Sequence, residues 1–203
     1  LEEGSAMLKL YHAPRSRSSR FIWLLEELGV PYEIEVVSIR RGDGSGALDP
    51  KDPHPHGKVP VIEHDGTTVF ESSAIALYLT DAFPDKGIGP RVADPQRGAY
   101  LTWLAYYAGV LEPAFLSKVM KIDVPRGTAG WVSAEEAMTY VIGALESGQF
   151  LLGNRFSAAD VLYGSTFALF LGSPLLPESK TLRDYVTRCT ARPAYAAAAA
   201  KDG

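Results

Sequence analysis

The sequence predicts an α/β layer followed by an all-α half. From Met7 to about Phe83, short β-favouring runs alternate with helical runs, and strand signals disappear after the stretch Pro84–Pro95. Apolar residues make up 46% of the 203-residue chain and charged residues 22%, which is typical of a folded protein with a substantial core. This order of elements indicates an α/β unit joined to a helical one.

Two domains are therefore expected, at residues 7–84 and 94–203, with a linker near 84–94. Residues 1–6 are polar and precede a methionine. We expect them to be a cloning remnant rather than a secretory signal.

The first elements of the α/β layer are strand, helix, strand. Leu8–His12 favours a strand, and the apolar spacing within Ser18–Leu28 lays one apolar face along a helix. Gly29 and Pro31 are typical of a helix end. Tyr32–Ile39 alternates apolar and charged residues, which predicts the second strand.

A β-hairpin and a second helix complete the layer. Residues 40–58 are rich in Gly, Pro and Asp and predict a loop. Asp65-Gly66 separates two β-favouring runs, Val59–Ile62 and Thr67–Phe70, which is a strong hairpin signal. Glu71-Ser72-Ser73 then opens a helix.

The second half contains only helical patterns. Ser133 precedes acidic residues in a first turn, and Ser157–Asp160 is a capping pattern with Asp in place of the usual Glu or Gln. The other helices are expected at Pro95–Met120, at Leu182–Cys189 and around the alanine run Ala196–Ala200.

Charge and cysteine content exclude several classes of function. A net charge of −4 argues against a surface for nucleic acid, and no run approaches the roughly 18 apolar residues of a membrane span. Cys189 is the single cysteine, so disulfides and Cys-x-x-Cys motifs are excluded. His54 and His56 alone are too few ligands for a metal. We expect a cytoplasmic protein without a metal site.

The segment Pro14–Arg20, with three serines and three arginines, lies between the first strand and the first helix. A helix N-terminus stabilises anions, and nearby hydroxyls and guanidinium groups add hydrogen-bond donors. The segment therefore indicates either an anion site or ordinary N-capping by serine.

The segment Gly57–Val61 places Pro60 at a strand start. A proline there confines the strand to an edge or an end, and neighbouring backbone groups can then pair with an added peptide. An ordinary edge strand is the alternative, and by itself the sequence favours a trans bond.

At the next strand-to-helix junction, Glu71 and Ser72 bring together a carboxylate and a hydroxyl. Such a pair suits the ammonium and carboxylate groups at one end of an amino acid. A simple helix cap is the alternative.

Together these segments resemble the glutathione transferases. The resemblance rests on Ser-Arg-Ser-x-Arg before Trp-Leu-Leu-Glu-Glu-Leu, on Gly-Lys-Val-Pro, on Glu-Ser-x-Ala-Ile, and on Ser157–Asp160 after Phe150–Asn154. It covers Met7 to about Arg192 and implies a thioredoxin-like N-terminal domain, an all-helical C-terminal domain and a homodimer. It also implies glutathione as co-substrate, with no other cofactor.

The resemblance assigns residues to glutathione. Pro60 would be a cis-proline, Val59 would bind the cysteinyl part through its backbone N–H and C=O, and Glu71 with Ser72 would hold the γ-glutamyl end. Three side chains would lie around the glycine carboxylate or the thiol: Lys58, His56 and Arg40.

The resemblance also implies how the thiol is activated. Ser16 lies where serine-type members place a hydroxyl that donates to the thiolate, and Ser18 is the second candidate. Arg17 occupies the position of the cysteine in bacterial cysteine-type members, so mixed-disulfide chemistry is not expected. Tyr11 would be the donor in a tyrosine-type site.

The implied activity is conjugation of glutathione to small hydrophobic electrophiles, with reduction of organic peroxides as a further possibility. Tyr106 and Tyr107 are candidate walls of the electrophile pocket, although aromatic residues at helical spacing more often form core. The alternatives are a glutathione-fold binding or regulatory protein with little turnover, and an interaction module of the translation or transcription machinery.

Overall fold

The computed structural model describes residues 8–203. The expected remnant at residues 1–6, together with Met7, lies outside the described residues. Within residues 8–203, no helix is long and apolar enough to cross a membrane.

A four-stranded mixed sheet forms the first part of the chain. The strands are β1 (Lys9–His12), β2 (Glu33–Val36), β3 (Val61–His64) and β4 (Thr67–Phe70), in the spatial order β2-β1-β3-β4. β1 runs parallel to β2 and antiparallel to β3, which pairs with β4 through the predicted hairpin. This is the expected thioredoxin-like arrangement, with strands up to four residues shorter than their sequence patterns.

Helix α1 (Ser19–Leu28) connects β1 to β2 in a parallel crossover, and α2 (Ser72–Ala82) follows β4. The apolar face of α1 is completely buried, and Gly29 closes the helix in the left-handed conformation at φ 58°. Helix α8 (Pro193–Ala199) covers α1, where the ring of Tyr195 meets Trp23 edge-on at 5.0 Å between centroids.

The helical part contains α3 (Arg97–Tyr106), α4 (Glu112–Met120), α5 (Ala134–Glu146), α6 (Ala158–Phe170) and α7 (Lys180–Thr190). The single helix predicted for Pro95–Met120 is interrupted by a π-helical turn at Tyr107–Leu111. The N–H of Glu112 donates to the carbonyl of Tyr107, five residues back, immediately before Pro113, which has no N–H to continue the ladder.

The described chain groups into two compact units. The first contains the residues up to Leu79 together with Pro193–Gly203, and the second is Thr80–Arg192. This grouping differs from the predicted domains at the C-terminal segment, because α8 packs on α1. The boundaries 7–84 and 94–203, as limits of independently folding domains, stay a prediction.

Candidate active site

The loop between β1 and α1 holds the serines predicted to serve the thiol. Arg15 adopts φ 54°, in the left-handed region, and turns the chain from the strand into the helix. Ser16 is partly exposed, Arg17 is exposed, and Ser18, the N-cap residue of α1, is completely buried. The loop therefore presents Ser16 and Arg17 outward and Ser18 inward.

The two serine hydroxyls contact each other, with Ser16 Oγ 2.7 Å from Ser18 Oγ. Ser18 Oγ also lies 2.9 Å from His12 Nδ1 and accepts from the N–H of Ala13 at 3.1 Å. The turn preceding α1 brings the two serines together, because Ser16 lies before the helical spacing begins.

Ser16 lies at the positive end of α1. Its Oγ accepts from the N–H of Ser18 at 3.2 Å, and its carbonyl accepts from the N–H of Ser19 at 3.1 Å. The Ser18 side chain makes no capping hydrogen bond to the first turn. A negative charge beside Ser16 Oγ would meet both a hydroxyl and the helix dipole.

His12 continues this chain of contacts inward. Its Nε2 lies 3.1 Å from the carbonyl oxygen of Asp202 and 3.5 Å from the Oδ1 of the same residue. Asp202 Oδ2 accepts from the N–H of Arg15 at 3.2 Å. No local sequence pattern predicts His12 and Asp202 as site residues, because they lie 190 positions apart in the chain.

The Val59–Pro60 peptide bond is cis, which confirms the isomer implied by the resemblance. The register of β3 with both of its neighbours begins at Val61, so Val59 lies outside the sheet ladder. The Val59 side chain is buried in a cluster with Tyr11, Val37 and Val61. That packing holds the Val59 backbone in place at the end of β3.

The junction before α2 differs from the one before α1. Glu71 adopts φ 71°, its carbonyl accepts from the N–H of Ile75 at 2.9 Å, and its side chain is exposed. Ser72 is the first residue of α2 and is half-buried. A left-handed conformation at a residue other than glycine is costly and recurs at binding sites.

His54 is a buried histidine beside this junction. Its ring packs on Phe70 with centroids 5.0 Å apart, and its Nδ1 accepts from the N–H of His56 at 3.0 Å. Burial lowers the pKa of His54, although the negative charges of Asp52 and Glu71 act in the opposite direction. The His54 ring therefore packs as a buried group of the loop, whereas the side chain of His56 is exposed.

The basic residues expected around the glycine carboxylate or thiol are on the surface. Lys58 and Arg40 are exposed, like His56. The neighbouring Arg41, which was not among the predicted residues, reaches the serine loop by donating from a guanidinium nitrogen to the carbonyl of Pro14 at 2.8 Å. Arg40 and Arg41 are adjacent in an irregular loop, so the sequence pattern does not show which of them reaches the serine loop.

Tyr11 is not placed to activate a thiol. Its hydroxyl donates to Glu63 Oε2 at 2.7 Å, and burial together with that carboxylate raises the pKa of Tyr11 to about 12. A tyrosine-type donor needs a free hydroxyl with a lowered pKa. The geometry therefore favours the serine-type reading.

Of the two tyrosines predicted for the electrophile pocket, Tyr107 is a core residue. It is completely buried, with its hydroxyl 2.8 Å from Thr166 Oγ1, so the prediction for Tyr107 is wrong. The π-helical turn at Tyr107–Leu111 directs this side chain into the helical unit. Tyr106 is half-buried and packs against Tyr140 at 5.2 Å, and its pocket role stays a prediction.

Cys189 is buried in α7, and burial raises the pKa of its thiol well above the ordinary value. Such a thiol is a core group rather than a nucleophile. Within residues 8–203, no group of three or more His, Cys, Asp and Glu side chains is arranged to hold a metal ion.

Comparison with known proteins places these features in context. Residues 16–82 match the family profile described as glutathione S-transferase, N-terminal domain. The chain is 30% identical to glutathione S-transferase 3 of Schizosaccharomyces pombe, over 76% of this chain and 70% of that protein. It is also 30% identical to glutathione S-transferase GstA of Escherichia coli O157:H7, over 75% of this chain and 77% of that protein.

Solved structures agree with the sequence relatives. A glutathione S-transferase from Actinobacillus pleuropneumoniae superposes with a TM-score of 0.77 at 26% identity, covering 97% of this chain and 93% of that one. A sphingomonad glutathione S-transferase complexed with glutathione superposes with a TM-score of 0.75 at 26% identity, covering 96% and 98%.

Proposed function

This chain belongs to the glutathione S-transferase family and is a glutathione transferase. From that premise we propose that it binds glutathione on its first unit and activates the thiol with Ser16. The thiolate then attacks small hydrophobic electrophiles. The observation that carries the proposal is the hydroxyl of Ser16, a partly exposed residue, held at the N-terminus of α1 by Ser18.

Glutathione would be held mainly by the backbone of Val59 and by residues at the N-terminus of α2. Val59 lies outside the β3 ladder, so its N–H and C=O suit an added strand formed by the cysteinyl part. Glu71 presents an exposed carboxylate to the γ-glutamyl ammonium group, and Ser72 lies at the N-terminus of α2, where a carboxylate is stabilised. The exposed basic side chains of Lys58, His56 and Arg40 are left for the glycine carboxylate.

The energetics of thiol activation fit a single hydroxyl donor. A free thiol has a pKa near 8.5, so lowering it by about two units requires about 2.7 kcal/mol of preferential binding of the thiolate. A hydrogen bond to a charged group contributes about 1.5–3 kcal/mol, and a helix N-terminus about 0.3–1 kcal/mol. Ser16 at the head of α1 combines both contributions. Because the oxygen of serine is a poor base, it acts as a donor.

The experiment combines calorimetry with a conjugation assay. The purified protein is titrated with glutathione and with S-methylglutathione, and is then assayed with a panel of aromatic halides, epoxides, unsaturated carbonyls and organic peroxides. We expect both peptides to bind and conjugation to saturate with glutathione. Binding without turnover across the panel would instead indicate a glutathione-binding protein.

We further propose a homodimer, as the family resemblance implies, a cytoplasmic location, in keeping with the single cysteine, and reduction of organic peroxides as a side activity. Light scattering of the purified protein tests the dimer, and the peroxide arm of the panel tests the side activity. A monomeric mass in solution would contradict the dimer, and an inert peroxide arm the side activity.

A further inference from the structure

Behind Ser16 lies a continuous row of hydrogen-bonding groups, and the proposed function uses only its two outer members, Ser16 and Ser18. We define the serine–histidine file as Ser16, Ser18, His12 and Asp202. Successive atoms along it are 2.7 Å (Oγ to Oγ), 2.9 Å (Oγ to Nδ1) and 3.1 Å (Nε2 to the carbonyl oxygen) apart. Its outer member is partly exposed, and Ser18 and His12 are buried, with His12 only 1% exposed.

The inner end of the file decides where the imidazole hydrogen lies. The carbonyl oxygen of Asp202 can only accept a hydrogen bond, and Asp202 Oδ1 is close by, so His12 Nε2 carries a hydrogen. In the neutral ring Nδ1 is then an acceptor, and the hydroxyl of Ser18 donates to it at 2.9 Å rather than to the carbonyl oxygen of Ala13, which lies farther away at 3.3 Å. Since Ser18 has one hydroxyl proton, its contact with Ser16 is one in which Ser16 donates.

With the file in this orientation, Ser16 Oγ offers a lone pair outward. Its other lone pair accepts the N–H of Ser18, and its proton points to Ser18 Oγ. A thiol beside Ser16 would therefore donate its S–H to Ser16 Oγ. The reverse orientation also satisfies every group: Nδ1–H donates to Ser18, Ser18 donates to Ser16, and Ser16 donates outward to an anion.

We propose that His12, positioned by Asp202, receives the proton of the glutathione thiol through Ser18 and Ser16. The S–H bond breaks and an N–H bond forms at His12 Nδ1. Each serine hydroxyl gives up one proton and gains one, so both end unchanged. The products are a thiolate that accepts a hydrogen bond from Ser16 and an imidazolium. His12 acts through the serines and is a positioning residue for the reaction. This inference rests on the proposed function.

Asp202 supplies the charge that such an imidazolium requires. Its Oδ1 is buried and has no hydrogen-bond partner, although it lies 3.5 Å from His12 Nε2. A buried carboxylate oxygen without a partner is costly, and a cation on the adjacent ring reduces that cost. Ser18 faces His12 from the N-cap of α1 and Asp202 faces it from the segment after α8, and of these two Asp202 alone is charged.

The test counts protons as well as thiolate. In weak buffer at pH 7, ultraviolet absorbance measures the thiolate formed when glutathione binds, and a pH indicator measures the protons released. We expect the wild-type protein to release clearly fewer protons than it forms thiolates, because His12 retains them. One proton released per thiolate would overturn the inference while leaving the proposed function intact.

Variants test the same file. His12→Asn keeps a hydrogen-bonding group near the Nδ1 position but cannot hold the proton. We expect about tenfold less bound thiolate at pH 7, one proton released per thiolate formed, a similar fall in kcat and unchanged affinity for S-methylglutathione. Asp202→Asn should give about a threefold loss. If His12→Asn does not fold, Asp202→Asn and the wild-type proton count still decide.

The matched control is His64→Asn, which removes another buried histidine of the same sheet, hydrogen-bonded to Tyr78 at 3.1 Å. It should leave thiolate, proton count and kcat at wild-type values. Wild-type thiolate and kcat in both His12→Asn and Asp202→Asn would overturn the inference. Failure of the wild-type protein to bind S-methylglutathione would instead remove the proposed function, and this inference with it.

Discussion

Helices α1 and α6 both begin after a serine at the N-cap, and the two serines make opposite use of their hydrogen bonds. At α6, the N–H and the hydroxyl of Ser157 both donate to Asp160 Oδ2, at 2.9 and 3.1 Å. At α1, Ser18 turns away from the helix toward Ser16 and His12. The hydrogen bonds of Ser157 stay within the core, whereas those of Ser18 lead to the partly exposed Ser16.

The difference shows when a helix-capping serine serves stability and when it serves chemistry. Asp160 is fully buried, and its Oδ1 accepts from the N–H of Leu151 and from the hydroxyl of Tyr185, both at 3.0 Å. Every polar group there has an internal partner. At α1 the last group of the file, Ser16, is partly exposed and can take a partner from solvent. A hydrogen-bond network can bind a ligand when one of its terminal groups is accessible from solvent.

The largest expected effect is on stability, at the buried hydrogen-bond network around Asp160, which we call the closed network. Asp160→Ala should lower the free energy of unfolding by about 3–5 kcal/mol, because it leaves several buried donors without an acceptor. Urea denaturation measures this change. The matched control is Asp184→Ala on α7, whose carboxylate is exposed and pairs with Lys180, and it should change stability little. A loss below about 1 kcal/mol for Asp160→Ala would mean that the donors find other partners.

The closed network also predicts a pH dependence. Burial raises the pKa of Asp160 from its ordinary value of 3.8 to about 6, although its hydrogen bonds act to lower it. The folded state therefore binds this proton more tightly than the unfolded state does. This contribution to stability is complete below about pH 4 and is lost as the pH rises to about 6. In Asp160→Asn that fall between pH 4 and 6 should be missing from the denaturation curves.

The N-terminus of a third helix, α2, allows the comparison of helix N-termini to include ligand binding. Glu71→Ala should reduce glutathione affinity by about 2 kcal/mol, roughly 30-fold, with kcat at saturation little changed, because the carboxylate contacts the ammonium group rather than the thiol. Calorimetry measures the affinity. The control is Glu33→Ala, which removes an exposed carboxylate of β2. Equal affinity in both variants would place the γ-glutamyl site elsewhere.

A substitution of Ser16, the partly exposed residue before α1, should change activity without changing stability. Ser16→Ala is expected to lower kcat at neutral pH by ten- to a hundredfold, about 1.4–2.7 kcal/mol in the barrier, while the affinity for S-methylglutathione and the stability stay unchanged. Ser18→Ala should lower both kcat and stability, because its hydroxyl is buried. If Ser18→Ala alone affects the thiolate, Ser16 is not the donor.

The smallest effect concerns the cap itself. Ser157→Ala should cost about 1 kcal/mol of stability, since Asp160 keeps the backbone N–H of residue 157 as a donor. The matched control is Ser133→Ala in the exposed capping box with Glu136, where about 0.5 kcal/mol is expected. Thermal denaturation of the two variants ranks them. A larger loss at Ser133 would show that burial does not strengthen the cap.

Local patterns in the sequence were sufficient to predict the order of strands and helices. Periodicity and capping residues act within one or two turns, so α1, the hairpin and the capping pattern at Ser157 were found correctly. The interruption of the long helix before Pro113 was missed, because apolar spacing alone does not show a π-helical turn.

The site was predictable only as far as it is local. The serine run was found from its place before the first helix, and the cis bond before Pro60 was implied by the resemblance. The partners that orient the serines were not found, because Asp202 lies 190 positions after His12 and only folding brings them together. Tyr107 was assigned to a pocket for the same reason, since its partner Thr166 belongs to another helix.

The return of residues 193–203 to the first unit has a consequence for how the protein is made. During translation, the face of α1 that carries Trp23 has no cover until Tyr195 has left the ribosome, which happens after the whole of residues 80–192. The unit encoded first is therefore completed last, against the usual order in which N-terminal domains fold first. A nascent chain stalled before Pro193 would lack Asp202, so the serine–histidine file is assembled only after residue 202 has been synthesised.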